Sequence, residues 1–316
     1  MPDLSRLNIE LSFKAGCLLI AALSIARGAS FLFSKQLLGS MEPLNLLGIR
    51  FLLAFIILFI LFFRKIIDDI KVHPHTVSVA VLLGGVYFLC MTTELIGLQC
   101  TTASLCSFLE NSAIVMVPII EAILLRRFPP RVIAISTIIT FIGIGFIVFG
   151  SGSAAAGVGY SEMSASLGIG EILCMIAALS YAAAIIITDR VSKKYDTMTL
   201  GILYVGVMGG LGLLASFMFE MPHLPDTGSQ WLMLLILAVV CTAFGFTMQP
   251  IAQKPLSSET TGIICSVNPL TTAILGWLVL GENLGSMGLI GAMLILFGII
   301  MPNITWSKVL SFRSLW

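Results

Sequence analysis

Five ionisable side chains lie inside long apolar runs: Arg27, Arg50, Glu94, Glu110 and Glu121. At the centre of a bilayer each would cost about 2.5–3.5 kcal/mol on insertion scales, so each needs protein, water or a partner of opposite charge. Two kinds of chemistry suit such groups. Arginines and glutamates lining one space can bind the charged ends of a solute, and a carboxyl group without a basic partner can take up and release a proton.

The stretch SFLENSAIVMVPIIEAILLRR, residues 107–127, holds two of the acids. Glu110 and Glu121 are eleven residues apart. On a continuous helix, eleven steps of about 100° return to within about 20° of the same direction, about 16 Å further along the axis. The two acids then share a stripe with Cys106, Ile114 and Val117.

Depth along each run suggests partners. Arg27 lies midway along its run and faces Glu110 near the midplane, while Arg50 and Glu94 meet further out. Glu121 is the acid left over, which makes it the candidate for proton coupling. The competing reading has Glu121 reaching Arg126 and Arg127 at the interface, and the two pairs merely holding helices together. Buried ion pairs stabilise less than apolar packing does, which favours a binding role for Arg27, Arg50, Glu94 and Glu110. Tyr181, with Tyr87, Phe31 and Trp277, can wall such a site or serve as packing. Asn268-Pro269 and Pro118 interrupt helical hydrogen bonding in mid-run, tolerable only where protein or a cavity satisfies the backbone.

The elements that position these groups follow from composition. The 316 residues are 58% hydrophobic and 10% charged, against roughly 25% charged in soluble domains. Hydropathy gives ten apolar runs: 15–37, 44–63, 76–98, 102–125, 131–150, 168–190, 198–219, 230–252, 258–280 and 284–304. The first is too long for a signal-peptide core and is read as an uncleaved span. Short gaps force neighbours antiparallel. With the N terminus inside, fourteen of the seventeen lysines and arginines fall on the cytoplasmic side and only Lys35 on the other, with Arg27 and Arg50 inside spans. That asymmetry predicts cytoplasmic N and C termini. The net charge of +1 argues neither for nor against nucleic acid, but no basic cluster large enough for a phosphate backbone is present, so no nucleic-acid partner is expected. Seven cysteines, scattered singly without a CxxC pair, read as small packing residues.

The segment IAALSIA at 20–26 recurs as IAALSYA at 176–182, an offset of 156, and TTAS at 101–104 falls opposite SSET at 257–260. A Gly/Ala/Ser-rich stretch at 151–167 separates the halves. The predicted fold is an all-α integral membrane protein of ten transmembrane helices in two inverted five-helix repeats. Residues 1–150 form the first repeat, 151–167 an external linker, 168–304 the second repeat and 305–316 a cytoplasmic tail. Inverted repeats of this kind belong to secondary transporters, with the site near the midplane between halves.

The stretch NPLTTAILGWLVLGENLGSMGLIGAMLILFGI, 268–299, resembles the end of the EamA repeat of the drug/metabolite transporter superfamily. The matching features are Pro269, the Leu-Gly-Glu at 280–282, the Leu-Ile-Gly-Ala and the later Phe-Gly-Ile. The first half departs from it, with LLRRFPP at 124–130 in place of VLGENLG. The resemblance implies a ten-helix carrier of small metabolites, often an exporter, with a cavity lined from both halves. Glu282, within the motif, is read as structural.

Other classes lack their signatures. His73, His75 and His223 lie in or beside loops, and no HExxH or GxxxxGK[ST] motif is present, so catalysis or ATP-driven pumping within this chain is not expected. A channel would need rings of like charge or carbonyl filters. The expected function is alternating-access export of amino acids or related compounds across the cell (plasma or inner) membrane, with protons as candidate coupling ion and no cofactor. Uptake of an organic anion or vitamin-like metabolite is the alternative, favoured if Arg27 is unpaired and accessible. The expected partners are a small-molecule substrate and the lipid bilayer, and the pattern leaves the oligomeric state open.

Overall fold

In an apolar medium every backbone N–H and C=O must be satisfied within the segment, so runs of this length fold as helices. The computed structural model describes residues 12–124, 126, 131–154, 168–192, 194–245, 248, 252, 264–265 and 267–313. Among these, all regular structure is helical: α1 Phe13–Leu37, α2 Pro43–Val72, α3 His75–Cys100, α4 Ala103–Asn111, α5 Ala113–Leu124, α6 Arg131–Ala154, α7 Ile169–Ser192, α8 Thr197–Phe219, α9 Gly228–Ile236, α10 Val267–Leu275 and α11 Gly285–Arg313. Five helical stretches are long and apolar enough to cross a membrane: Phe13–Leu37, Pro43–Val72, His75–Cys100, Ile169–Thr188 and Thr197–Phe219. Shorter apolar helices occupy Ala103–Val117, Arg131–Phe146, Gly228–Phe244, Val267–Leu280 and Gly285–Met301. Residues 1–11, 127–130, 155–167 and most of 246–266 lie outside the described residues, and with them most of the expected 151–167 linker and SSET at 257–260.

Local chemistry starts the helices where the sequence changes character. Ser12 caps α1, Thr102 caps α4 and Asp196 caps α8, each accepting from a backbone N–H three residues on. Thr227 and Gln230 form a reciprocal capping box at α9. Two expectations of unbroken α-helix are corrected. The fourth apolar run divides at Ser112, whose hydroxyl donates to the Leu109 carbonyl at 2.6 Å while its N–H bonds back to Phe108 and Leu109. Such back-bonding competes with the regular ladder. Ser112 itself keeps helical dihedrals (φ −60°, ψ −18°), and the Glu121 side chain, the far end of the face expected to be shared with Glu110, lies outside the described residues. The eighth and ninth runs turn π-helical, over Leu237–Phe244 and Gly276–Leu280. The second π segment ends at Gly281, whose φ of +66° needs a residue without a Cβ. Helix α2 runs beyond its expected end at 63, through a non-helical Phe62, to Val72.

Packing runs inside out relative to a soluble protein. Leu18, Ile60, Leu82, Ile138, Phe217 and Met293 are exposed, whereas Asn45, Ser107, Thr199, Ser216 and Thr272 are fully buried. A lipid-facing surface accounts for both. Helix α2 packs along α8, α6 along α11, α3 on both α7 and α8, and α1 on α10. Small residues permit the approach. A Cβ on Gly209 would fall 2.5 Å from the Leu52 backbone nitrogen, and one on Gly84 2.7 Å from the Val207 side chain. Gly85 and Gly210, their neighbours, face open space.

Candidate functional site

Four of the five in-run charges converge inside the bundle, carried by α1 (Arg27), α2 (Arg50), α3 (Glu94) and α4 (Glu110). They lie within electrostatic reach of one another, and of Tyr181 on α7. Helix α7 belongs to the second half of the chain, so the cluster draws on both halves.

Arg50 is buried and engaged. Its Nε donates to the Thr242 hydroxyl at 2.8 Å and its Nη1 reaches the Ser34 hydroxyl at 3.5 Å, with the guanidinium 5.3 Å from the Phe51 ring centre. Thr242 sits in the π segment, where its hydroxyl also donates to the carbonyl of Leu237, five residues back, at 2.9 Å. The widened turn thus presents an acceptor that Arg50 uses, a common association of π turns with functional places.

Arg27 makes a different contact. Its guanidinium lies 5.4 Å from the centre of the Tyr181 ring, a cation–π arrangement. Beyond Tyr181 the aromatic series continues: Tyr87 on α3 is 6.3 Å away and tilted, and Tyr204 on α8 stacks on Tyr87 at 5.1 Å and 12°. Arg27 and Tyr181 are half-buried, so both border space within the bundle.

The two glutamates form no ion pair among the described residues. Glu94 is 6% and Glu110 5% exposed, and Glu94 Oε2 has no hydrogen-bond partner. The pairing expected from depth is therefore corrected. Neither Arg27 with Glu110 nor Arg50 with Glu94 forms an ion pair within 4.0 Å. Depth fixes position along the axis but not around it: Arg50 turns toward the second half of the chain, and Arg27 engages Tyr181. The Asn268 amide nitrogen reaches Asn111 Oδ1 at 3.4 Å, and its own Oδ1 is buried without a partner. Opposite charges held apart beside an aromatic wall and an unsatisfied amide oxygen can receive a molecule bearing both signs.

Glu121 lies in α5, with its side chain, like that of Pro118, outside the described residues. Of the other aromatics, Phe31 is buried and Trp277 is 66% exposed on the outside of the bundle. A groove of about 310 Å³ between α6 and α11 is lined by Ile142, Gly145, Phe146 and Met287. It has no group that could orient a polar solute. Among the described residues no cluster of His, Cys, Asp or Glu could hold a metal ion.

Several polar residues at the site and around it went unnoticed in the sequence. Thr242, Ser34, Asn111 and Tyr204 look ordinary there, though Asn111 and Asn268 are 157 residues apart (268 − 111), close to the repeat offset. Three charges cap helices at the end of the bundle that the charge pattern assigns to the outside. Glu282 accepts from the Ala103 and Ser104 backbone nitrogens at 2.6 and 3.0 Å and from the Ser104 hydroxyl at 2.6 Å, which gives it the structural role expected of it. Glu220 accepts from the Leu44 and Asn45 nitrogens at 2.9 and 2.8 Å. Lys35 donates to the Leu98 and Thr101 carbonyls, each at 2.7 Å. Each charge faces the helix end of opposite polarity.

Comparison with known proteins agrees with this architecture. The model of the EamA-like transporter family matches twice, over residues 14–149 and 168–304. An uncharacterised transporter of Archaeoglobus fulgidus is 26% identical over 293 residues, covering 90% of this chain and 96% of its own length. The uncharacterised transporter YoaV of Bacillus subtilis is 24% identical over 293 residues, covering 92% and 97%. A solved crystal structure shares the fold, with a TM-score of 0.65 at 14% identity over 94% of this chain and 99% of that one. With both matched segments spanning most of its length, the chain belongs to the EamA-like transporter family and is a multi-pass membrane transporter.

Proposed function

We propose that the chain is a secondary active transporter of small zwitterionic metabolites, amino acids or related compounds, working by alternating access between two inverted five-helix repeats. The observation that carries the substrate class is the separation of charge in the cluster. Among the described residues Arg27 lies over Tyr181 with no carboxylate within 4.0 Å, and neither Glu94 nor Glu110 has a basic group within that distance. A solute carboxylate would seat on Arg27, its ammonium between the glutamates, and its side chain against Tyr181 and Tyr87. Asn268, with its free Oδ1, would orient the ammonium.

The double family match and the packing of α2 on α8 and of α6 on α11 support ten spans in two halves, 1–150 and 168–304 around the 151–167 linker. The distribution of basic residues supports cytoplasmic termini, a tail at 305–316 and residence in the cell membrane. Export follows the family resemblance. Protons are the coupling ion in this reading, with Glu121 as the candidate carrier.

A second reading, uptake of an organic anion, draws on the same half-buried Arg27, because a guanidinium without a carboxylate also suits a purely anionic solute. A thermal-shift screen of purified protein against zwitterions and organic anions, followed by vesicle flux with and without a pH gradient, separates the two. Stabilisation by zwitterions together with gradient-driven flux supports the first reading. Stabilisation by anions alone supports the second, and neither stabilisation nor flux removes both.

A further inference from the structure

The cysteines read as packing residues in the sequence, but two of them meet. Cys106 on α4 and Cys174 on α7 come from opposite halves of the chain, and their sulfurs are 3.0 Å apart. A covalent S–S bond is ~2.0 Å long, so closing by ~1 Å would join them. Both thiols are fully buried and unbonded to other cysteines. The contact is built into the helix packing. Gly97 on α3 lets α7 approach so closely that a Cβ there would fall 2.8 Å from the Cys174 sulfur and 3.0 Å from the Gly170 carbonyl. The Thr101 hydroxyl donates to Glu171 at 3.2 Å in the same seam, and Glu282 of the second half caps the start of α4 beside it. Cys106 and Cys174 lie within the first two turns of their helices, and both helices begin at the end assigned to the outside.

We propose that Cys106 and Cys174 form a dithiol site for hydroperoxides and related two-electron oxidants, and that its oxidation bridges the two halves and holds the outer seam shut. The proposal rests on the alternating-access reading, because closed packing shields both thiols and outward opening is what brings an oxidant to them. One thiol is oxidised to a sulfenic acid as the peroxide O–O bond breaks and the peroxide leaves as an alcohol or water. On reclosure the second sulfur attacks the first. The S–S bond forms, the S–O bond breaks, and water departs with the second thiol's proton. A thiol reductant reverses the bridge.

The test counts thiols. Purified wild-type protein is treated with hydrogen peroxide, denatured and alkylated, and peptide mass spectrometry locates any bridge. Two of the seven cysteines should escape alkylation, joined as Cys106–Cys174, and dithiothreitol should restore all seven. Cys106→Ser and Cys174→Ser should each keep their other six thiols reactive. A full count of reactive thiols in oxidised wild type, or a bridge between other cysteines, overturns the proposal without touching the transport reading. Closure is read by hydrogen exchange at residues 101–106 and 169–174, which should slow severalfold on oxidation of wild type and stay unchanged in Cys174→Ser. Unchanged exchange in the bridged wild type would overturn the closing of the seam. Oxidised wild type should also lose vesicle flux and regain it with reductant. Flux that survives a proven bridge overturns the lock, whereas absence of flux before oxidation bears only on the transport reading.

Discussion

Arg50 Nε donates to the Thr242 hydroxyl at 2.8 Å, so a guanidinium of the first half is held by a π-helical turn of the second. Removing the acceptor leaves a buried charged donor unpaired, which costs about 1–3 kcal/mol. Thr242→Val should lower thermal stability in detergent by that order, while Thr242→Ser retains most of it. Equal stability of the Val variant and wild type would show that the bond holds nothing.

Arg27 and Glu110 are neighbours without being an ion pair. Arg27→Gln and Glu110→Gln should each weaken binding of a zwitterion at least tenfold, about 1.4 kcal/mol. The exchanged double variant Arg27→Glu/Glu110→Arg should not recover it, because each charge meets a different end of the solute. Recovery of binding in the exchanged protein would restore the simple ion-pair view.

Glu282 and Glu220 each satisfy the first backbone N–H groups of a helix distant in sequence. Glu282→Ala should destabilise by about 1–3 kcal/mol, and Glu282→Gln by less, since an amide oxygen still accepts one bond. Glu220→Ala should behave alike through α2. The readout is the unfolding temperature with hydrogen exchange at residues 103–106 and 44–47; unaltered protection there would show that the caps are dispensable.

Asp196, in the short connection before α8, is titratable outside the spans. Burial alone would raise its pKa, but the Thr199 backbone and hydroxyl and the Lys65 ammonium at 3.3 Å outweigh that and hold it below the ordinary 3.8. With the folded value below the unfolded one, its stabilisation is complete above the unfolded pKa and is lost as pH falls through the folded one. A melting series from about pH 6 to about pH 3 should show a slope that Asp196→Asn lacks. Asp196→Ala should cost about 1 kcal/mol at neutral pH through loss of the cap.

Gly209 and Gly210 are adjacent on α8 and face opposite circumstances. Gly209→Ala drives a methyl group into the Leu52 backbone and should cost about 1–3 kcal/mol. Gly210→Ala meets nothing within 4 Å and should stabilise by about 0.5–1 kcal/mol through helix propensity. Similar melting temperatures for the two variants would refute the contrast.

Much of this was written into the chain at low resolution. Long apolar runs announce helices, and the in-run charges announce an interior that is not merely oily. What periodicity could not reveal was direction around each helix axis. Arg50 bonds to Thr242, a residue carried by a π turn, and π turns leave no mark in hydropathy. The interruption at Ser112 left no mark in hydropathy either: Pro118 drew attention as the helix breaker, while the hydroxyl of Ser112, six residues earlier, bonds to the Leu109 carbonyl. The caps by Glu220 and Glu282 join residues about 175 positions apart, beyond any local pattern. The meeting of Cys106 with Cys174 is likewise a product of assembly, set by Gly97 and not by either cysteine's neighbours.

The contact at Gly28 has a mechanical consequence. Its missing side chain lets α1 lie directly on α10, where a Cβ would stand 2.6 Å from the Asn268 carbonyl, and the Thr272 hydroxyl ties back to the Gly28 carbonyl at 3.0 Å. Backbone and the Thr271 side chain close this contact on the α10 side, leaving no room for a side chain at residue 28. A tilt of one helix against the other would have to break this contact and the Thr272 bond, beside Arg27, the adjacent residue.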